Sequence, residues 1–254
     1  MPQLAIPKSF FVKERENLYA DWRTAFWREM FQNSLDAGAS QIEANILELD
    51  DGDTVIEFID NGSGMEPSTI EEVFFALGAT TKENENGVGG FGRARILTCF
   101  ANKSYEFWTH YHYCLGDGAM YEIEETDSFV RGCNFRINFG KCDASRITSA
   151  LYAVLERSQL SCRVYVNAEQ FTGWMHKQRL VKSEDFGNIH VNKSRNSGGQ
   201  VVVRVKGLWT FSVHTSATPQ IVVEIDPEHC REILTVNRDG MHYAYQNQLQ
   251  SFLV

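Results

Sequence analysis

The stretch Trp27 to Ala39, "WREMFQNSLDAGA", constrains the fold more than any other part of the chain. At about 100° per residue, offsets of four and seven return to nearly the same direction, so Glu29, Asn33 and Asp36 share one helical stripe. Phe26, Trp27, Met30, Phe31 and Leu35 take most of the remaining circumference. Two readings are open for such a helix. Its polar stripe is an ordinary solvated face, or it lines a site while the apolar side is buried.

The segments that follow favour the second reading. Gly38 stops the helix, and "GASQIEANILEL" then alternates Ile42, Ala44 and Ile46 as a strand does. "DDGD" is a turn, and "TVIEFID" is a second strand that delivers Asp60 at its end. Helix, strand, hairpin turn, strand is an α+β opening. "NGSGM" must be a loop, because two glycines separated by one residue favour neither helix nor strand. "EPSTIEEVFFALG" predicts a helix with Ser68 as N-cap and Glu71 completing a capping box. "ATTKENENGVGGFG" is a polar, glycine-rich loop leading into a short helix, "RARILTCFA". Strands are predicted at "KSYEFWTHYHY", "AMYEIEE" and "CNFRINF".

Near residue 140 the texture changes. "ASRITSALYAVLERS" predicts a helix, followed by strands at "CRVYVN", "GNIHVNK", "GQVVVRVKGLWTFSV" and "PQIVVEID" and a closing helix from "GMHYAYQ". Residues 1–140 hold 11 Lys+Arg against 23 Asp+Glu, net −12, whereas residues 141–254 hold 13 against 10, net +3. Two α+β domains, 1–140 and 141–254, are therefore expected. The acidic first half is unsuited to wrapping nucleic acid, since phosphate contact needs clustered Lys and Arg. The second half leaves that option open through Arg195, Arg204 and Lys206.

No apolar run approaches the roughly 18 residues of a membrane span, and the N-terminus lacks a signal-peptide apolar region, so a cytoplasmic address without membrane partners is expected. Six cysteines are scattered without a CxxC pair, which points to free thiols in a reducing compartment. His110 and His112 have strand spacing for one side, but lack a nearby Cys or acidic partner for metal binding.

Three motifs stand in order: Glu29, Asn33 and Asp36 on a helix; "DNGSGM" at residues 60–65; and "GVGGFGRA" at residues 87–94. Together they resemble the GHKL ATPase superfamily, which includes gyrase-type topoisomerase subunits, the ninety-kilodalton heat-shock chaperone, histidine kinases and MutL. The resemblance covers roughly residues 20–140. It implies a Bergerat-type two-layer α/β sandwich that binds ATP, followed by a smaller α+β transducer-like domain.

The residues make physical sense in the implied roles. Asp60, rigidly placed at a strand end, can accept from the adenine amine where little water competes. Gly62 and Gly64, followed by Met65, let the backbone pass close to the base. Asn33 can offer its side-chain oxygen to a magnesium ion held also by phosphate oxygens and water. The resemblance implies Glu29 as general base on the attacking water, with Asp36 fixing the hydrogen bonds of the site. The segment "GATTKENENGVGGFG" resembles the family's mobile ATP lid. Gly87, Gly90 and Gly92 fit a GxxGxG spacing like the chaperone's; Gly89, Gly92 and Ala94 fit the GxxGxA spacing of MutL, with Phe91 inside either register. Thr80, Thr81 and Lys82 resemble the Thr/Ser-Lys segment of MutL-like lids, where Lys82 either meets phosphate or is a solvated loop lysine. A departure is "RGCNFRI": Cys133 follows Gly132 where the superfamily commonly has a Gly-Thr pair whose hydroxyl helps hold adenine through water.

Only about 20 residues precede the first motif, too few for the phospho-accepting hairpin of a histidine kinase. The second half resembles the transducer domains of MutL, the chaperone and type II topoisomerases, a layout shared with phage-encoded and MORC-like relatives. "LTVNRDGM" at 234–241 looks like the chaperone's arginine-bearing segment, which makes Arg238 the candidate sensor of the γ-phosphate. What this implies is a magnesium-dependent ATPase in which nucleotide orders the lid and closes a homodimeric clamp, with segment 1–20 exchanged or packed across the dimer. Its client is DNA or a protein; a non-catalytic, nucleotide-gated module is the remaining reading, and Glu29 speaks against it.

Overall fold

The computed structural model describes residues 6–75, 95–173, 178–192, 199–214, 220–235 and 238–247. Among them the chain forms two compact units: one comprises 6–75, 95–152 and 162–171, the other 153–161 and those from 172 on.

The first unit opens with two helices, α1 (Lys8–Leu18) and α2 (Trp22–Asp36). Asp21 caps α2 by accepting from Arg23 N, and Gly38, at φ 71°, ends it as the glycine's freedom allows. Helix α1 is seated on its own chain. Phe11 is fully buried with its ring 5.1 Å from that of Phe100, and the Arg15 guanidinium lies over the Trp22 ring and donates to Asn102 Oδ1.

Strands β1 (Gln41–Glu48) and β2 (Asp53–Asp60) form the expected antiparallel hairpin, with Ile42 opposite Asp60. The helix after the "DNGSGM" loop begins differently from its expected capping box. Glu66 is the N-cap residue of α3 (Pro67–Thr69), and Ser68 sits inside the helix without a capping hydrogen bond. Pro67 decides this, because its missing N–H and fixed φ suit the first helical position. The helix continues as a π turn, Ile70–Phe74. A second π turn, Ile96–Phe100, takes the place of the short helix expected at "RARILTCFA".

Strands β3 (Ser104–Asp117) and β4 (Met120–Lys141) pair antiparallel along their length. "AMYEIEE" and "CNFRINF" are thus one strand and not two. Register shifts in β3 on both sides of His110 absorb the mismatch, so no turn is needed between them. Helix α4 (Ala144–Arg157) follows as expected. The Trp27 indole, buried in the core with Phe26, Phe31 and Phe58, donates to the Ile147 carbonyl of α4.

The segment "CRVYVN" joins this same sheet. As β5 (Arg163–Val166) it pairs parallel with β1, and β6 (Glu169–Gln170) pairs with β5, giving the order β3-β4-β2-β1-β5-β6. The edge of β1 left open by its hairpin with β2 is what β5 covers. The first sheet therefore draws on residues well beyond 140.

The second unit contains β7 (Gln178–Glu184), β8 (Gly187–Asn192), β9 (Gln200–Val205), β10 (Leu208–His214) and β11 (Gln220–Ile225), in the order β10-β9-β11-β8-β7. "GQVVVRVKGLWTFSV" is split into β9 and β10 by Lys206 and Gly207, at φ 51° and 75°, the two-residue turn a twisted hairpin prefers. Val201, Val203, Val205, Val223 and Ile225 make its core with Ile233 from α5 (Cys230–Ile233), and a closing helix begins at Tyr243. Arg204 is a correction to the basic character expected of this half. It is 5% exposed, and its Nε donates to the Arg157 carbonyl, so it is a structural cation of the interior and does not face a partner. Arg195 lies outside the described residues.

Candidate nucleotide site

Asp60 ends β2 in an enclosed position, 6% exposed. Its Oδ1 accepts from the Gly62 N–H at 2.8 Å, and its Oδ2 accepts from the Ser34 hydroxyl at 3.0 Å. Burial pushes this carboxyl above the usual aspartate range, against the contrary pull of the Gly62 and Ser34 hydrogen bonds. The Cys133 N–H also bonds the carboxylate, so three of its roughly four acceptor positions are taken and one is left for an exocyclic amine.

Ser34 belongs to α2, so the acid is tied directly to the helix that carries the polar stripe. Asn33, the preceding residue, is exposed; Glu29 and Asp36 are half-buried. Asp36 accepts from the Gln32 amide at 3.1 Å, and the Asn33 backbone carbonyl accepts from the Ala37 N–H at the end of the helix. The stripe therefore stands beside the end of β2, and the aromatic residues of the same helix are buried on the other side.

The loop after Asp60 is packed at very close quarters. A Cβ on Gly62 would stand 2.8 Å from Ala37 Cβ, and Gly64 adopts φ 74°. Met65 N donates to Thr109 Oγ1 at 2.9 Å, and Thr109 Oγ1 donates to the Gly132 carbonyl at 2.8 Å. Gly132, at φ 73°, comes so near that a Cβ there would lie 2.0 Å from the Asp60 carbonyl oxygen. Cys133, which stands where the superfamily commonly has threonine, is buried with its Sγ 3.6 Å from Thr109 Oγ1. Burial foremost, and the neighbouring Asp60 charge, push its thiol up to about 12, so it stays protonated. The hydroxyl in this layer thus comes from β3 and not from β4.

Ser34 and Thr109 are not among the residues that the sequence singles out. Thr109 had a signal: it is the polar member of an inward-facing series, Tyr105, Phe107, Thr109. Ser34 had a weaker one, a small hydroxyl between Asn33 and Leu35 in an otherwise apolar wall. Thr80, Thr81, Lys82, Gly87, Gly89, Gly90, Phe91 and Gly92 lie outside the described residues. Arg238 belongs to the second unit, where it adopts φ 52° in the turn closed by the Leu234–Met241 bridge. A cavity of about 660 Å³ opens between Glu106, Tyr113, Tyr121 and Arg136, and no candidate nucleotide residue lines it.

Residues 26–114, from α2 to β3, match the family model of histidine kinase-, DNA gyrase B- and HSP90-like ATPases. These residues resemble the ATPase domain of that family. A 43-residue stretch is 51% identical to the mismatch repair endonuclease pms1 of Dictyostelium discoideum, covering 17% of this chain and 4% of that protein. In fold the chain is similar to the ATPase and transducer domains of DNA topoisomerase II from Balamuthia mandrillaris, with a TM-score of 0.54 at 15% identity over 76% of this chain and 61% of that one. The Aquifex aeolicus MutL ATPase domain complexed with ADP matches with a TM-score of 0.48 at 12% identity, covering 81% of this chain and 93% of that one. This chain thus spans less than two thirds of the topoisomerase chain and a small fraction of the mismatch repair protein. Its α+β architecture is of the kind the GHKL resemblance implies. Among the described residues no helix is long and apolar enough to cross a membrane, and all six cysteines are free thiols.

Proposed function

We propose that this GHKL domain binds ATP with magnesium and hydrolyses it slowly, using the cycle to close and reopen a homodimeric clamp. The observation that carries the reading is the buried Asp60, its two oxygens oriented by Ser34 and Gly62, at the end of a strand beside the polar stripe of α2. Asp60 accepts from the adenine amine; Gly62, Gly64 and Met65 form the wall against the base. Asn33 holds the magnesium ion, which supplies charge neutralisation at the phosphates, and Glu29 takes the proton from the attacking water. Asp36 supports these contacts. Thr80, Thr81, Lys82 and the glycines from Gly87 to Gly92 form the lid over the phosphates, and Arg238 distinguishes ATP from ADP.

The client is proposed to be DNA, in keeping with the names of the mismatch repair and topoisomerase relatives. A protein client is the second reading, favoured by the net charge of −9 and by the burial of Arg204, which removes one of the basic residues a DNA surface would use. ATP-dependent retention on DNA that weakens with salt separates the two.

The test is magnesium-dependent ATP hydrolysis with calorimetric nucleotide binding, on the wild type, Glu29→Ala and Asp60→Asn. Turnover lost with binding kept in Glu29→Ala, and binding lost in Asp60→Asn, is the expected pattern. A wild type that binds no adenine nucleotide overturns the reading. For the clamp, light scattering with and without a non-hydrolysable ATP analogue is decisive: a monomer in both conditions sinks it.

A further inference from the structure

Strand β3 folds back on itself. Residues seven apart in a straight strand stand about 23 Å from each other and on opposite faces, yet the Tyr113 hydroxyl donates to Glu106 Oε2 at 2.7 Å. The register shifts on both sides of His110 make the bend. Between the two arms lies the cavity of about 660 Å³ that no candidate nucleotide residue lines. Its volume falls among those of ligand-binding clefts.

The walls of the cavity are ordered without a ligand. Tyr113 stacks on Trp108 with ring centroids 4.9 Å apart, Tyr121 stacks on Phe75 at 3.7 Å, and the buried Tyr105 donates through its hydroxyl to the Gly118 carbonyl at 3.2 Å. Val55 and Leu115 add apolar lining, and Met120, 76% exposed, leaves the rim open to solvent.

Charge selects the occupant. Glu106 and Glu122 line the cavity, and Arg136 lies between Glu106 and Glu57 with its Nε 3.8 and 4.0 Å from their oxygens, at ion-pair distance without a hydrogen bond. Among the described residues Arg136 is the one cation at ion-pair distance from these three carboxylates, so negative charge is left over. Asp117, which also lines the cavity, is met by Lys8. The surroundings have the same sign, since residues 1–140 carry a net −12. That field draws cations toward the cleft and repels nucleic acid.

We infer that this cavity is a docking site for a protein partner that inserts an arginine side chain flanked by apolar residues. The guanidinium meets Glu106 and Glu122, its stem lies along Val55 and Leu115, and the flanking residues cover Met120. The exposed apolar rim favours a peptide over a free amine, because it offers contact to a chain that runs on past the cavity. The inference stands independently of the nucleotide reading.

The experiment is methyl NMR of the full chain with labelled methionine, following the Met120 signal. The probes are the acetylated, amidated peptide Ala-Leu-Arg-Leu-Ala, the same peptide with citrulline in place of arginine, and L-argininamide. The arginine peptide should shift Met120 with an affinity tighter than about 1 mM, and citrulline should weaken it roughly tenfold. Salt at about 0.5 M should weaken it several-fold. Glu106→Gln should also weaken it roughly tenfold, while its amide oxygen still accepts from Tyr113 and keeps the bend. Glu122→Gln, at an exposed position, should give a loss in the same direction without touching the fold. No Met120 shift with the arginine peptide, equal binding of the citrulline peptide, or unchanged affinity in both variants overturns the inference. L-Argininamide binding as tightly as the peptide assigns the cavity to a small cation and overturns the protein partner.

Discussion

The Ser34 hydroxyl donates to Asp60 Oδ2 at 3.0 Å, linking the second helix to the end of the second strand across 26 residues of sequence. This bond does two things. It orients the acid proposed to read adenine, and it sets the distance between that acid and the neighbouring Asn33 and Glu29. Hydrogen bonds to a charged group are worth about 1.5–3 kcal/mol, and an enclosed carboxylate that loses one bears the desolvation cost alone. Ser34→Ala is therefore expected to lose about 1–2 kcal/mol in urea unfolding and to weaken nucleotide binding roughly tenfold, read by calorimetry.

Asp60→Asn should separate stability from function. Burial raises the folded-state carboxyl above its unfolded value, so Asp60 favours the fold below the unfolded value, and that contribution is lost as pH rises through the raised one. At neutral pH the ionised acid is a cost that asparagine removes, and the amide can still accept from Gly62 N and donate to Ser34. Thermal scans at pH 7 should show the variant as stable as the wild type or more so, and the wild type's disadvantage should shrink on acidification. Binding of adenine nucleotides should be abolished.

Glu29→Ala should reduce turnover by about 100-fold or more, the usual range for a general base, with nucleotide affinity within about threefold of the wild type. Glu29 is half-buried on a helix anchored by Trp27 and Phe31, so the fold should not respond. Rates from single-turnover assays beside calorimetric affinities check both halves.

Gly132→Ala should be among the most damaging substitutions in the domain. The new Cβ would meet backbone, the Asp60 carbonyl oxygen, at 2.0 Å, and the φ of 73° disfavours alanine independently. A loss of at least about 2 kcal/mol in chemical denaturation is expected. A change within experimental error would mean that β4 can shift away from Asp60.

Phe11→Ala tests the seating of the N-terminal helix. The ring is fully buried against Phe100, and truncating a buried phenylalanine costs about 3–5 kcal/mol. If the helix leaves its seat in a nucleotide-closed dimer, the variant should also dimerise more readily with an ATP analogue, which light scattering reads.

Much of the candidate site was legible locally. The stripe of Glu29, Asn33 and Asp36 follows from helical periodicity, the loop at residues 61–65 from its glycines, and Asp60 from its place at the end of an alternating strand. Those are properties of short segments, where backbone sterics and side-chain spacing suffice. Ser34 and Thr109 escaped because their roles depend on partners 26 and 44 residues away, and a hydroxyl in an apolar wall carries no label of what it will meet.

The sequence by itself determined the order of elements through the hairpin of β1 and β2, the stop of α2 at Gly38, and the resemblance that residues 26–114 carry. Tertiary structure decided the rest. Strand β5 joined the first sheet because the open edge of β1 needed a partner, and Arg204 went inside because strand pairing carried it there to meet the Arg157 carbonyl. Pairing between distant strands depends on which edges remain unsatisfied once the whole sheet is assembled, and no local pattern of residues encodes that.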